Sequence, residues 1–164
     1  MKRNILTLII AVFALMQAAA QTYDNLWKQA DIIARKDQPR SEIGVMKKII
    51  SKASAAKDYG QLLAAEMRQM ILWKEISADS LTPNVKRMEA EVQKVKDPAL
   101  KAVRYAVLGK VYSDMDEKKS QEFFKKALEQ PELLAKHTST EYVPLTLKGV
   151  DGSSFNNDLL HLIG

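Results

Sequence analysis

From Tyr23 onward, apolar residues recur at intervals of three and four, the spacing that lines one face of a helix. Tyr23, Leu26, Trp27, Ala30, Ile33 and Ala34 form a first stripe, which ends near Lys36-Asp37-Gln38-Pro39 because proline cannot continue a helix interior. Ile43, Met46, Ile49, Ile50 and Ala53 form a second, with Ser41 as its expected cap. A third runs through Tyr59, Leu62, Leu63, Met67, Met70, Ile71 and Trp73; it is apolar over more than one face, so this helix is expected to lie between two neighbours. Thr82-Pro83 and Asp97-Pro98 each combine a capping side chain with a proline preset for the first helical position. They predict the starts of a fourth helix, carrying Val85, Met88, Val92 and Val95, and a fifth, carrying Leu100, Val103, Val107, Leu108 and Val111. The sixth carries Phe123, Phe124, Ala127 and Leu128 and is expected to stop at Pro131.

Six helices joined by short turns predict an all-α chain of antiparallel hairpins. Three hairpins of roughly 30 to 40 residues suit a stacked solenoid, since one hairpin cannot bury its own apolar face. A plain helical bundle is the alternative. After His137 the pattern changes to a short alternating piece through Tyr142, Val143, Leu145 and Leu147, then Asp151-Gly152-Ser153-Ser154, then an apolar run from Leu159 to Ile163 behind a capping Asp158. The expected division is therefore a helical-repeat domain over 21–136 and an irregular tail, or the start of a following domain, over 137–164. A docked terminal helix is the other reading of that tail.

The first twenty residues read as an address. Lys2 and Arg3 precede an apolar stretch from Ile5 to Met16, and Ala18-Ala19-Ala20 supplies a small-residue cleavage site, the plan of a secretory signal peptide. The apolar stretch is shorter than the ~20 residues of a bilayer span. Cleavage after Ala20 would lower the net charge of +5 by two. The remaining charges are interleaved, as in Lys86-Arg87-Met88-Glu89, so no basic face for a nucleic acid is expected. With no cysteine, the chain has no disulfide, no thiol nucleophile and no cysteine to receive a lipid anchor. These features suit export to the periplasm or the cell exterior.

Candidate chemistry is sparse, and no catalytic, cofactor or metal site is expected. His137 and His161 have no ligand spacing that suits zinc. Glu66 and Glu75, about 14 Å apart along one helix, suit a solvated or ion-paired face better than an acid–base pair. Asp114-Met115-Asp116-Glu117 lacks the glycine and the twelfth-position glutamate of a calcium loop and reads as an acidic turn before a helix. The aromatics and Met67, Met70 and Met88 sit at core spacing.

The stretch from Tyr105 to Pro131 resembles a tetratricopeptide repeat. Tyr105, the Leu108-Gly109 pair, Tyr112, Ser120, Phe124, Ala127 and Pro131 stand at the repeat's large, small and closing positions. That resemblance implies a TPR-like solenoid, with Gly109 and Ser120 allowing close helix approach. A longer resemblance rests on Gln21 to Gln29, Phe123 to Leu128 and Phe155 to Leu160, which are similar to the amino-terminal helical region of bacterial alpha-2-macroglobulin-like exported proteins. Protease trapping is not implied, because the chain is too short for the sandwich domains and lacks the thioester cysteine. The expected function is a non-catalytic exported interaction module of a Gram-negative bacterium. It would be the amino-terminal part of such a protein or a free-standing periplasmic adaptor. Its partner would be a protein, a peptide or following domains, held by exposed residues of the first, third and fifth helices such as Lys28, Arg68 and Arg104.

Overall fold

The computed structural model describes residues 23–146 and 156–164, and all of its regular elements are helical. The signal-peptide expectation at 1–20, and Leu147 and Ser153-Ser154, lie outside the described residues. Helix α1 covers residues 23–34, followed by α2 (Pro39–Ala56), α3 (Tyr59–Ile76), α4 (Ala78–Val92), α5 (Pro98–Tyr112), α6 (Glu117–Ala127), the short α7 (Pro131–Leu134), a 3-10 turn (Ser139–Tyr142) and α8 (Leu159–Ile163). None of the described helices is long and apolar enough to cross a membrane.

Several boundaries move from their expected places. Pro39 itself opens α2, with Gln38 as an N-cap that makes no side-chain bond, so Ser41 lies inside the helix. The start of α4 is set by Ser77, whose hydroxyl accepts from the Ser80 amide; Pro83 falls inside the helix rather than at its first turn. Asn84 donates its side-chain amide to the Ser80 carbonyl beside the interrupted stretch. Helix α6 ends at Ala127, and Pro131 begins α7 instead of ending α6. Asp97-Pro98 opens α5 as expected, with the Asp97 carboxylate accepting from the Leu100 amide at 2.8 Å.

Three clusters of buried side chains form the core, and α3 contributes to each of them: Leu62, Ala65 and Leu72 to the first, Met70 to the second, Leu63 to the third. This explains why its sequence is apolar over more than one face. The closest helix pairs are α2 with α3 and α5 with α6, whereas α3 and α4 touch less extensively. Helix α4 instead offers a narrow seam of Leu81, Val85, Met88 and Val92 to the second cluster, which it shares with α5 and α6. Helix α1 is tied down by buried Tyr23 and Ala30 and by the Trp27 indole, which donates to Gln61 of α3 at 2.7 Å.

The α5–α6 pair shows the close approach that its small residues imply. Ser120 donates its hydroxyl to the Gly109 carbonyl at 2.8 Å, and Phe123 stacks between Tyr105 and Tyr112 at centroid distances of 6.0 and 5.5 Å. A Cβ at Gly109 would stand 2.9 Å from the Phe124 ring. Gly109→Ala is therefore expected to lower stability. Overpacking costs ~1–3 kcal/mol, against at most ~1 kcal/mol gained in helix propensity. A lowered urea midpoint that is partly restored by adding Phe124→Leu would identify the ring contact as the cause.

Before the expected alternating piece, Ser139–Tyr142 forms a 3-10 turn behind Thr138, whose amide donates to the Glu141 carboxylate at 2.9 Å. Ser139 donates its amide to Asn157, and Leu159 donates to His137, so the segments before and after the undescribed residues 147–155 meet side by side. Asp158 caps α8 by accepting from the His161 amide. Leu159 is fully buried among Leu63, Leu100, Leu134 and Tyr142. Tyr142 and Leu159 thus share the third core cluster with residues of α3, α5 and α7.

Candidate functional site

Helix α3 separates two grooves. On one side, Met67, Met70, Ile71 and Lys74 face Val103, Ala106, Val107, Lys110 and Val111 of α5 and Asp114 in the turn after it. At i, i+4 and i+7, Met67, Ile71 and Lys74 project together along one edge of α3. This groove consists of two hollows of about 340 and 150 Å³ that share Met67 and Lys110, and Leu145, Leu162 and Ile163 wall its larger end. Ile71 and Leu162 are exposed large apolar side chains, at 43% and 36%. At the opposite end, Lys74 and Asp114 pair at 2.9 Å in solvent, where such a bond contributes little to stability. Lys74 nevertheless holds the Asp114 carboxyl below its ordinary value, chiefly by hydrogen bonding to it. Lysine stems and apolar walls with few polar groups suit the docking of apolar side chains.

On the other side, Glu66, Gln69 and Trp73 form the floor of a polar groove of about 310 Å³, walled by Lys47, Ile50 and Ser51 of α2 and by Asn84, Arg87 and Glu91 of α4. Glu66 accepts from Arg104 of α5 at 3.2 Å, with both side chains largely buried. Burial raises the Glu66 carboxyl above its ordinary pKa, and the Arg104 charge only partly offsets this.

The three residues expected to be exposed are placed differently from one another. Lys28 is exposed on α1. Arg68 is half-buried and donates to the buried Glu42 of α2 at 2.6 Å, so its guanidinium fastens α2 to α3. Arg104 is only 9% exposed and is held by Glu66, which corrects its expected place on an open surface. These residues do not form one patch: Arg68 and Arg104 each bind a different buried carboxylate. Met67 is half-buried, packing on the second core cluster while also lining the apolar groove, and Met70 and Met88 are buried as expected. The sequence signal for the groove is an excess of apolar residues on the third helix, more than two neighbours can cover.

The two histidines are committed to local contacts. His137 meets Glu141 at 2.9 Å and His161 meets Asp158 at 2.8 Å. No group of three or more His, Asp or Glu side chains that could hold a metal ion occurs among the described residues. Asp116 caps α6 by accepting from the Lys119 amide, which makes the acidic run a helix start. Tyr112 and Lys119 both donate to Glu89, at 2.7 and 3.2 Å, binding α4, α5 and α6 together. Comparison with known proteins found no matching family model, curated protein or solved structure.

Proposed function

We propose that this chain is a non-catalytic, exported helical interaction module, built as a short TPR-like solenoid, whose α3–α5 groove receives an apolar stretch of another polypeptide. The observation that carries the reading is the continuous apolar groove itself, with Met67 shared between its two hollows and Ile71 and Leu162 exposed along it. Helix-in-groove recognition uses this kind of surface, with anchors spaced at three and four residues along the ligand. The third and fifth helices, one from each of two successive hairpins, are those that a repeat would present to a partner. The basic amino-terminal residues and the apolar stretch from Ile5 to Met16 support export to the periplasm or cell exterior of a Gram-negative bacterium. The resemblance at 21–29, 123–128 and 155–160 supports the amino-terminal region of an alpha-2-macroglobulin-like protein as the setting. In that setting the groove's occupant belongs to the following domains; in a free-standing adaptor it belongs to a separate protein.

Selection of short random peptides on the immobilised chain tests the proposal. Enriched sequences are expected to share apolar anchors at helical spacing and to lose binding about tenfold or more on Ile71→Glu, because a charge is then buried under the ligand. Lys28→Ala, on α1, is expected to leave binding unchanged. Enrichment of sequences insensitive to Ile71→Glu would place recognition elsewhere.

A further inference from the structure

The polar groove between α2, α3 and α4 contains hydrogen-bonding groups that the fold leaves unused. Gln69 lies in the middle of α3 and is only 3% exposed, yet its side-chain amide forms no hydrogen bond with any described residue. One turn further on, the Trp73 indole Nε1 is buried and also without a partner. Arg87 on the α4 wall donates to the Asn84 side-chain oxygen at 3.4 Å and its charge also acts on Glu66, while Lys47 stands on the opposite wall. Buried polar groups are normally paired, so the buried Trp73 N–H without a partner, beside a Gln69 amide that makes no bond to the protein, marks this groove as a place for a ligand.

We propose that this groove binds the carboxylate end of a peptide. Trp73 can only donate, so its complement is an acceptor, and the lysine and arginine on the two walls make an anionic acceptor favourable. Gln69 presents both a donor and an acceptor, which match a carboxylate oxygen and the peptide N–H beside it. Glu66 and Glu91 line the same groove and disfavour a phosphate dianion, while Ile50 provides an apolar wall for a side chain. A free amino acid carries the same carboxylate and could place its ammonium on Glu91.

The test uses the isotope-labelled full chain and follows the Gln69 amide and Trp73 indole resonances, with Trp27→Phe identifying the indole. N-acetyl-trialanine with a free carboxylate is expected to shift both signals saturably, and its carboxamide to bind about tenfold or more weakly, as loss of a charge-assisted bond requires. Arg87→Ala and, separately, Gln69→Leu are expected to weaken the free acid by a similar factor at unchanged helical content. Free alanine binding as tightly as the peptide supports the carboxylate site and assigns its source to free amino acids. Equal binding of acid and carboxamide, tighter binding of inorganic phosphate, or no saturable shift with either the peptide or alanine would overturn the proposal. Because this groove lies across α3 from the apolar one, Ile71→Glu leaves these shifts intact, and the two proposals fail independently.

Discussion

Gly60→Ala is expected to cost about 3 kcal/mol or more of stability, although alanine is the better helix former by ~1 kcal/mol. Gly60 is the second residue of α3 and is buried against the segment that follows the 3-10 turn. A Cβ there would fall 2.1 Å from the Val143 carbonyl oxygen and 2.6 Å from the Tyr142 carbonyl carbon. Both are backbone atoms, so no side-chain rotation relieves the clash. Either the start of α3 or the 139–146 segment must move. Movement of that segment exposes Thr146, 8% exposed, and Tyr142, which is 5% exposed and belongs to the third core cluster. Urea unfolding measures the loss, and faster hydrogen exchange at the Thr146 amide, which donates to Tyr142 at 3.3 Å, locates it. Wild-type stability in the alanine variant would mean that the segment does not rest on α3.

The second large effect concerns the Glu66–Arg104 pair, and it is expected to be asymmetric. Arg104→Met leaves an ionised carboxylate in the interior and is expected to cost about 3 kcal/mol at neutral pH. Glu66→Gln keeps an acceptor for Arg104 but leaves the buried guanidinium without its counter-ion, so it is expected to cost stability too, though less than Arg104→Met. The asymmetry follows from the Glu66 carboxyl, which burial holds above its ordinary pKa despite Arg104. A carboxyl raised in the folded state takes up protons on folding. Its contribution is fully present below the ordinary carboxylate value and is lost as pH rises through the higher folded value. Removing Arg104 raises the carboxyl further, so the penalty in Arg104→Met is expected to shrink as pH falls and to be relieved by adding Glu66→Gln. Denaturation midpoints across the acid range measure both effects. A Glu66→Gln cost equal to that of Arg104→Met would show instead that the Glu66 charge stabilises the fold.

The sequence made the helices legible where local chemistry sets them. Asp97-Pro98 marked the start of α5, and Gly109 with Ser120 marked the tight α5–α6 pair, because a cap and a small residue act within a few positions of themselves. The starts of α2 and α4 were misplaced for the same reason. Two signals competed within a few positions: Pro39 prevailed over Ser41, and Ser77 over Thr82-Pro83. Packing between distant segments was less legible. Nothing local to Leu159 tells that it is buried beside Leu63, nearly a hundred positions earlier, and nothing local to Gly60 tells that a carbonyl from residue 143 rests on it.

The candidate surfaces followed the same rule. Charge alone suggested Arg68 and Arg104 as exposed, but charge does not reveal that Glu42 and Glu66 wait for them across neighbouring helices. The groove residues Met67 and Ile71 stood in plain sight as apolar positions. Whether such a position is covered depends on where α5 and α8 run, which is a tertiary property. Gln69 was the clearest missed signal, a polar residue between Met67 and Met70 that is only 3% exposed.

The central claim is that the α3–α5 groove holds another polypeptide. A photo-crosslinking side chain placed at Ile71 in the cells that make the protein tests this most directly, with the same group at exposed Lys94, in the turn after α4, as the control. The account predicts a discrete polypeptide adduct from position 71 that disappears when Met67→Glu is added and is not formed from position 94. No adduct at position 71, or the same adduct from both positions, would contradict it.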